Sequence, residues 1–181
     1  MADERGIVLV NTGFGKGKTT AAMGQAVRAV GAGMKVLMIQ FIKGNWKVAE
    51  IEGLKSLPNF ELRRRGLGFT IPDRRIGPLS EHQAAVETAW EHAVAEVMSD
   101  QWDMVILDEI NNVISDPNLN CIVGVADVLQ MLRERPHRLH MVLTGRGAPE
   151  ELVAVADTVT EMVLVKHAYQ QGIKARRGIE F

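Results

Sequence analysis

One stretch near the N-terminus constrains the fold more than any other. Gly6-Ile7-Val8-Leu9-Val10-Asn11 is a short apolar run of the kind found in strands buried on both faces. Thr12 to Gly17 then carries three glycines in six positions, which neither a helix nor a strand interior favours. An Ala-rich segment, Thr19 to Val30, follows and reads as a helix stopped by Gly31-Ala32-Gly33. Lys35 to Phe41 (KVLMIQF) is a second buried strand. Strand, glycine turn, helix and strand make one βαβ unit, and that connection requires a parallel pair.

The rest of the chain keeps the alternation. Strands are expected at Glu61 to Arg65, Met104 to Leu107, Leu139 to Thr144 and Val159 to Val165. A helix is expected from a Ser80 N-cap, with Gln83 at the capping-box position, through about Met98. Further helices are expected over Ile122 to Arg135 and after Pro149. Gly66 to Pro78 reads as a long loop, and Arg63-Arg64-Arg65 as a charged guard on a strand edge, with attraction of an anionic or amide-bearing ligand as the other reading. The fold class is therefore α/β, a mostly parallel sheet flanked by helices, with 1–181 as one domain and no linker or repeat.

Composition excludes several other classes. Apolar residues at 46% argue against disorder, and no apolar run reaches the roughly 18 residues of a membrane helix. The N-terminus lacks the pattern of a signal peptide. A balance of 21 basic and 22 acidic residues gives no bulk attraction to nucleic acid. Cys121 is the only cysteine, so there is no intrachain disulfide and a cytoplasmic setting is the natural expectation.

The glycine turn carries chemistry. In Thr12-Gly13-Phe14-Gly15-Lys16-Gly17-Lys18-Thr19-Thr20, the end Gly17-Lys18-Thr19 matches the close of the Walker A pattern. Glycines let backbone N–H groups converge on phosphate oxygens, and the following helix adds the positive end of its dipole. Lys18 would neutralise phosphate, and the Thr19 hydroxyl would reach Mg²⁺. The general pattern has Gly where this chain has Thr12. The dinucleotide fingerprint competes poorly, because its third Gly falls on Lys18. The Met104–Leu107 strand ends in Asp108-Glu109, carboxylates placed to hold Mg²⁺ at the carboxyl edge of a parallel sheet. Thr144-Gly145-Arg146-Gly147 follows another strand, so Arg146 is a candidate phosphate ligand; a solvent-facing Arg in a turn is the other reading.

Taken in order, TGFGKGKTTAAMGQAVRAVGAG, QFIKG, Gly68-Phe69-Thr70, LDE at 107–109, TGRG at 144–147, ADTVTEM at 156–162 and KHAYQQGIKARRGIEF at 166–181 resemble the P-loop type of ATP:corrinoid adenosyltransferase over nearly the whole chain. The Thr at the first Walker position agrees with that family. The resemblance implies a P-loop NTPase (RecA-like) fold and transfer of the 5′-deoxyadenosyl group of ATP to the Co(I) of a corrinoid, with release of triphosphate. It implies Mg²⁺, a likeness to homodimeric relatives, and an electron-donating reductase such as a flavoprotein, with no nucleic-acid or membrane partner.

It also implies roles for individual residues. Thr12 through Thr20 and Arg146 bind nucleotide, with Lys18 catalytic; Thr19, Asp108 and Glu109 hold the metal. Gly68, Phe69 and Thr70 face the corrinoid, where Phe69 displaces the lower axial ligand of cobalt. Familiar members carry a Trp two residues later, where this chain has Ile71. Some members also have an N-terminal extension over the site, whereas about five residues precede the first strand here; a lid would come from loop 66–78, from the tail, or from nowhere. Such chemistry needs no acid–base histidine, and His137 and His140 read as surface residues. Asn111 to Cys121 looks longer than in familiar members and has no assigned role. A small P-loop kinase, or an ATPase acting on nucleic acid, is the alternative function.

Overall fold

A computed structural model describes residues 5–44, 53–54, 56–68, 70, 75 and 77–179. Among them, β1 (Val8–Thr12), α1 (Lys18–Gly31), β2 (Val36–Gln40) and β3 (Phe60–Arg64) come first. They are followed by α2 (Leu79–Met98), β4 (Met104–Asp108), α3 (Ile110–Ser115) and α4 (Val125–Glu134). β5 (His140–Thr144), α5 (Glu150–Val155), β6 (Thr158–Glu161) and a 3₁₀ turn at Ala168–Gln171 complete the order.

The six strands form one sheet in the order β3-β2-β4-β5-β1-β6, parallel at every pairing. Strand residues alternate between two cores. Leu37, Ile39, Val105, Leu107, Met141 and Leu143 pack on the face covered by α2, α3 and α4. Val36, Met38, Met104, Ile106 and Val142 pack on the α1 face, against Ala22, Met23, Ala26 and Val30. Burial on both faces explains why these strands read as unbroken apolar runs. Among the described residues, no helix is long and apolar enough to cross a membrane.

The parallel register collects the chemistry at one edge. Gln40 pairs with Asp108, Leu107 with Leu143, and Asn11 with Thr144. The carboxyl ends of β1, β2, β4 and β5 therefore lie side by side.

Four expectations need correction. Ser80 is not the N-cap: α2 starts at Leu79 behind an extended Pro78, and the Gln83 amide donates to the Asn118 carbonyl at 2.9 Å. The last strand stops at Glu161 rather than Val165, because its partner β1 ends at Thr12, the residue in register with Glu161. The helix expected from Ile122 begins at Val125, where Gly124 is the N-cap and its N–H donates to the Asp127 carboxylate at 2.7 Å. His140 is a half-buried acceptor for the Ile7 N–H at 3.2 Å, not simply a surface residue. The edge reading of the arginines stands: β3 is an outer strand, and Arg63 pairs with Glu61 at 2.6 Å and with Glu96.

Candidate active site

A cavity of about 800 Å³ opens at the carboxyl edge of the sheet. Its floor is the glycine loop. Gly15 is required by close approach: a Cβ there would sit 2.6 Å from the Met162 carbonyl, which accepts the Gly15 N–H at 2.6 Å. The chain leaving β6 thus braces the loop from behind. Gly17 has φ 115°, a backbone conformation that disfavours L side chains, and is the N-cap of α1. Gly17 has no side chain to cap this helix, which among the described residues leaves its first N–H groups open to an anion.

Lys18 lies over the loop, its Nζ donating to the carbonyls of Gly13 at 2.8 Å and Gly15 at 2.6 Å. Desolvation, then the nearby Arg146 charge, lower its pKa from the usual lysine value. Lys16 reaches the tail, donating to the Ile179 carbonyl at 2.6 Å. Phe14 is 70% exposed at the lip, its ring 6.0 Å from the Arg146 guanidinium, a cation–π separation.

Behind the loop stands a polar knot centred on Asp108, which is 0% exposed. Its Oδ1 accepts the hydroxyls of Thr19 at 2.8 Å and Thr144 at 2.7 Å. Its Oδ2 accepts the Gln40 amide at 2.9 Å and lies 4.0 Å from the Lys43 ammonium. A buried carboxylate is tolerated only when its lone pairs are met in this way. Asp108 does not line the cavity, and it joins the site through the hydroxyl of Thr19, which does.

Glu109 does face the cavity. It is a non-glycine residue at φ 68°, a strained conformation costing about 1–3 kcal/mol. Thr144 holds it there: the hydroxyl that donates to Asp108 also accepts the Glu109 N–H at 2.9 Å. Burial, then the Asp108 charge, push the Glu109 carboxyl up to about 7. Its buried Oε2 has no hydrogen-bond partner among the described residues. An unmatched carboxylate oxygen beside a hydroxyl already oriented as a donor elsewhere fits a hard cation such as Mg²⁺.

The structure brings Phe14 through Thr20, Glu109, Arg146 and Thr70 to one cavity. It leaves Thr12 and Gly13 off the wall: the Thr12 hydroxyl accepts the Ala148 N–H at 3.1 Å, joining the loop to the Arg146 turn. Gly68 is buried, donating its N–H to the Ile42 carbonyl at 2.7 Å. Phe69 and Ile71 lie outside the described residues.

No role was assigned from sequence to Lys43, Asn112 and Asp116 on the wall, or to Gln40 and Thr144 behind it. QFIKG at 40–44, TGRG at 144–147 and the KHAYQ tail signalled Gln40, Lys43, Thr144 and the wall residue His167; Asn112 and Asp116 have no local signal.

The decisive comparison is with known families. A sequence model of the ATP:corrinoid adenosyltransferase BtuR/CobO/CobP family matches residues 4–181. The chain belongs to this family. It is 41% identical over 179 residues to the corrinoid adenosyltransferase of Escherichia coli K12, spanning 99% of this chain and 87% of that one. It is 39% identical over 182 residues to that of Pseudomonas aeruginosa, spanning 99% and 85%. Corrinoid adenosyltransferase CobA of Salmonella typhimurium is 38% identical over 179 residues, spanning 99% and 87%. The flagellar accessory protein FlaH from Methanocaldococcus jannaschii shares the fold at TM-score 0.51 and 13% identity, over 86% of this chain and 70% of that chain. A corrinoid adenosyltransferase is a transferase that moves the adenosyl group of ATP to a corrinoid. The P-loop, RecA-like fold class and the two substrates read from the sequence therefore hold.

Proposed function

We propose how the residues of this cavity divide the reaction. A corrinoid in the Co(I) state attacks the 5′ carbon of ATP; the cobalt–carbon bond forms as the carbon–oxygen bond breaks, and triphosphate leaves with the electron pair. The attacker carries no proton, so no general base is needed. The enzyme's work is to hold two substrates in line and stabilise charge on the leaving group.

The open N-terminus of α1, Lys16, Lys18 and Arg146 receive the triphosphate. Arg146 leaves Phe14 for phosphate, exchanging a weak contact for a charge-assisted one. Thr19 and Glu109 hold Mg²⁺, with Asp108 orienting Thr19. Bound there, Mg²⁺ supplies positive charge opposite the departing triphosphate. Gly68, Phe69 and Thr70 belong to the corrinoid side, with Phe69 displacing the lower axial ligand. The single observation that carries this reading is that the glycine loop, Glu109, Arg146 and Thr70 share one cavity.

The span 1–181 acts as one adenosyltransferase domain, in the cytoplasm, fed by an electron-donating reductase. It works as a homodimer. The support is apolar surface beyond β6, where Val163, Leu164, Val165 and Tyr169 are exposed beside an edge strand. Anaerobic mixing with ATP, Mg²⁺ and chemically reduced cobalamin tests the reading. Appearance of the adenosylated spectrum with stoichiometric triphosphate is expected; ADP as product would indicate a kinase instead.

A further inference from the structure

The segment that leaves Glu109 had no role assigned from sequence, and its contacts supply one. α3 and the turn after it touch three separate parts of the molecule, two of them at the site. On one side, the Asn112 side chain accepts the Arg146 N–H at 2.6 Å. On another, Gln83 of α2 donates to the Asn118 carbonyl at 2.9 Å. On the third, the Thr70 hydroxyl donates to Asp116 Oδ2. Asp116 Oδ1 is occupied within the turn, accepting the Asn118 N–H at 2.8 Å. Thr70 is only 5% exposed, yet it and Asp116 both border the cavity shared with Glu109.

We propose that Asp116 is a positioning residue: it clamps Thr70 to the rigid turn after α3, and so fixes the corrinoid side of the cavity relative to the Glu109–Arg146 corner. This rests on the reading that residues 68–70 face the corrinoid. Backbone bonds from Arg65 to the Gln40 carbonyl and from Gly68 to the Ile42 carbonyl hold the start of this stretch to the end of β2, and the Thr70–Asp116 bond adds a tie to the turn after α3. A carboxylate suits the task because one oxygen takes both donors of the local Asn118 while the other takes the distant Thr70 hydroxyl. The nucleotide corner does not depend on this tie. Its contacts run through Asp108, Thr144 and Asn112, whose hydrogen bonds survive if Thr70 is released.

The test uses Asp116→Ala, Thr70→Val, their combination, and the conservative Asp116→Asn and Thr70→Ser. Asn keeps the link, because its oxygen can accept from Asn118 while its amide donates to the Thr70 hydroxyl. Loss of a charge-assisted hydrogen bond predicts that Asp116→Ala and Thr70→Val each raise the KM for reduced cobalamin about tenfold, with the KM for ATP within about twofold. The double variant should be no worse than either single one, since both break one contact. The conservative variants should stay within about threefold of the parent. Hydrogen exchange on the protein without substrates gives a readout independent of activity: amides at 66–70 should exchange faster in Asp116→Ala and Thr70→Val, with the sheet unchanged. If the parent protein failed to adenosylate cobalamin, the functional reading would fall while the exchange result still judged the clamp. Additive single effects, equal rises in both KM values, or faster exchange spread through the sheet would overturn it.

Discussion

Two regions at the same edge of the sheet differ sharply in how complete they are. The corner formed by β1, β4 and β5 is closed on itself: Asp108 is fully buried, each of its oxygens has partners, and Thr144 serves as donor and acceptor at once. The stretch from β6 to the tail lies beside it and is open. Every residue of β6 is exposed, and Val165 is 91% exposed. Yet the two are in contact, through the Met162 carbonyl on Gly15 and the Ile179 carbonyl on Lys16. The difference teaches that the polar corner is completed by hydrogen bonds within this one chain, whereas the rim exposes apolar side chains.

Substitutions in the corner should therefore act on the triphosphate and metal. Lys18→Ala should lower turnover by about 10²–10³-fold through lost stabilisation of the leaving group, while the melting curve stays near that of the parent. A collapse in melting temperature would make Lys18 a structural residue, since it also ties two loop carbonyls. Glu109→Gln should raise the Mg²⁺ concentration needed for half-maximal rate by on the order of tenfold or more, because an amide replaces an anionic oxygen donor; a titration of rate against Mg²⁺ measures it. Thr144→Val should cost about 1–3 kcal/mol of stability by leaving buried partners unmatched, read by denaturant unfolding.

Glu109 also predicts a pH effect. Its carboxyl is raised on folding from 4.5 to about 7, so the native state favours the protonated form. The contribution is full below pH 4.5 and is lost as pH rises through 7. Ligand-free protein should thus lose stability between pH 5 and pH 8, and Glu109→Gln should lose less over the same range. Equal pH slopes in thermal melts would contradict the burial argument.

The rim should respond differently. Val165→Glu should convert dimer to monomer in sedimentation while leaving ATP affinity within about threefold, since Val165 is 91% exposed and does not line the cavity that holds Lys18 and Glu109. Loss of ATP binding in that variant would erase the distinction between the two regions.

The legibility of each region in the sequence follows the same division. The glycine loop could be read because its demands are local: three glycines, Lys18 and Thr19 must be consecutive neighbours for the backbone to turn inward. Asp108-Glu109 could be read because it ends an apolar strand. The pairing of Gln40 and Thr144 with Asp108 was hidden, because it depends on the order β2-β4-β5, which no local pattern encodes. Asp116 was hidden for the same reason: its partner Thr70 is distant in the chain. The overlong last strand shows composition misleading. Val163, Leu164 and Val165 have strand propensity, but β1 has already ended and offers nothing to pair with. The Ser80–Gln83 pattern fits a capping box, but Gln83 is taken by a tertiary contact that outweighs the local one.

The most direct test of the central claim is the fate of the phosphates. Phosphorus NMR of the anaerobic reaction with reduced cobalamin should show intact inorganic triphosphate, one for each cobalt–carbon bond formed. ADP and phosphate accumulating in step with product would mean that the corner cleaves the chain it is built to release whole.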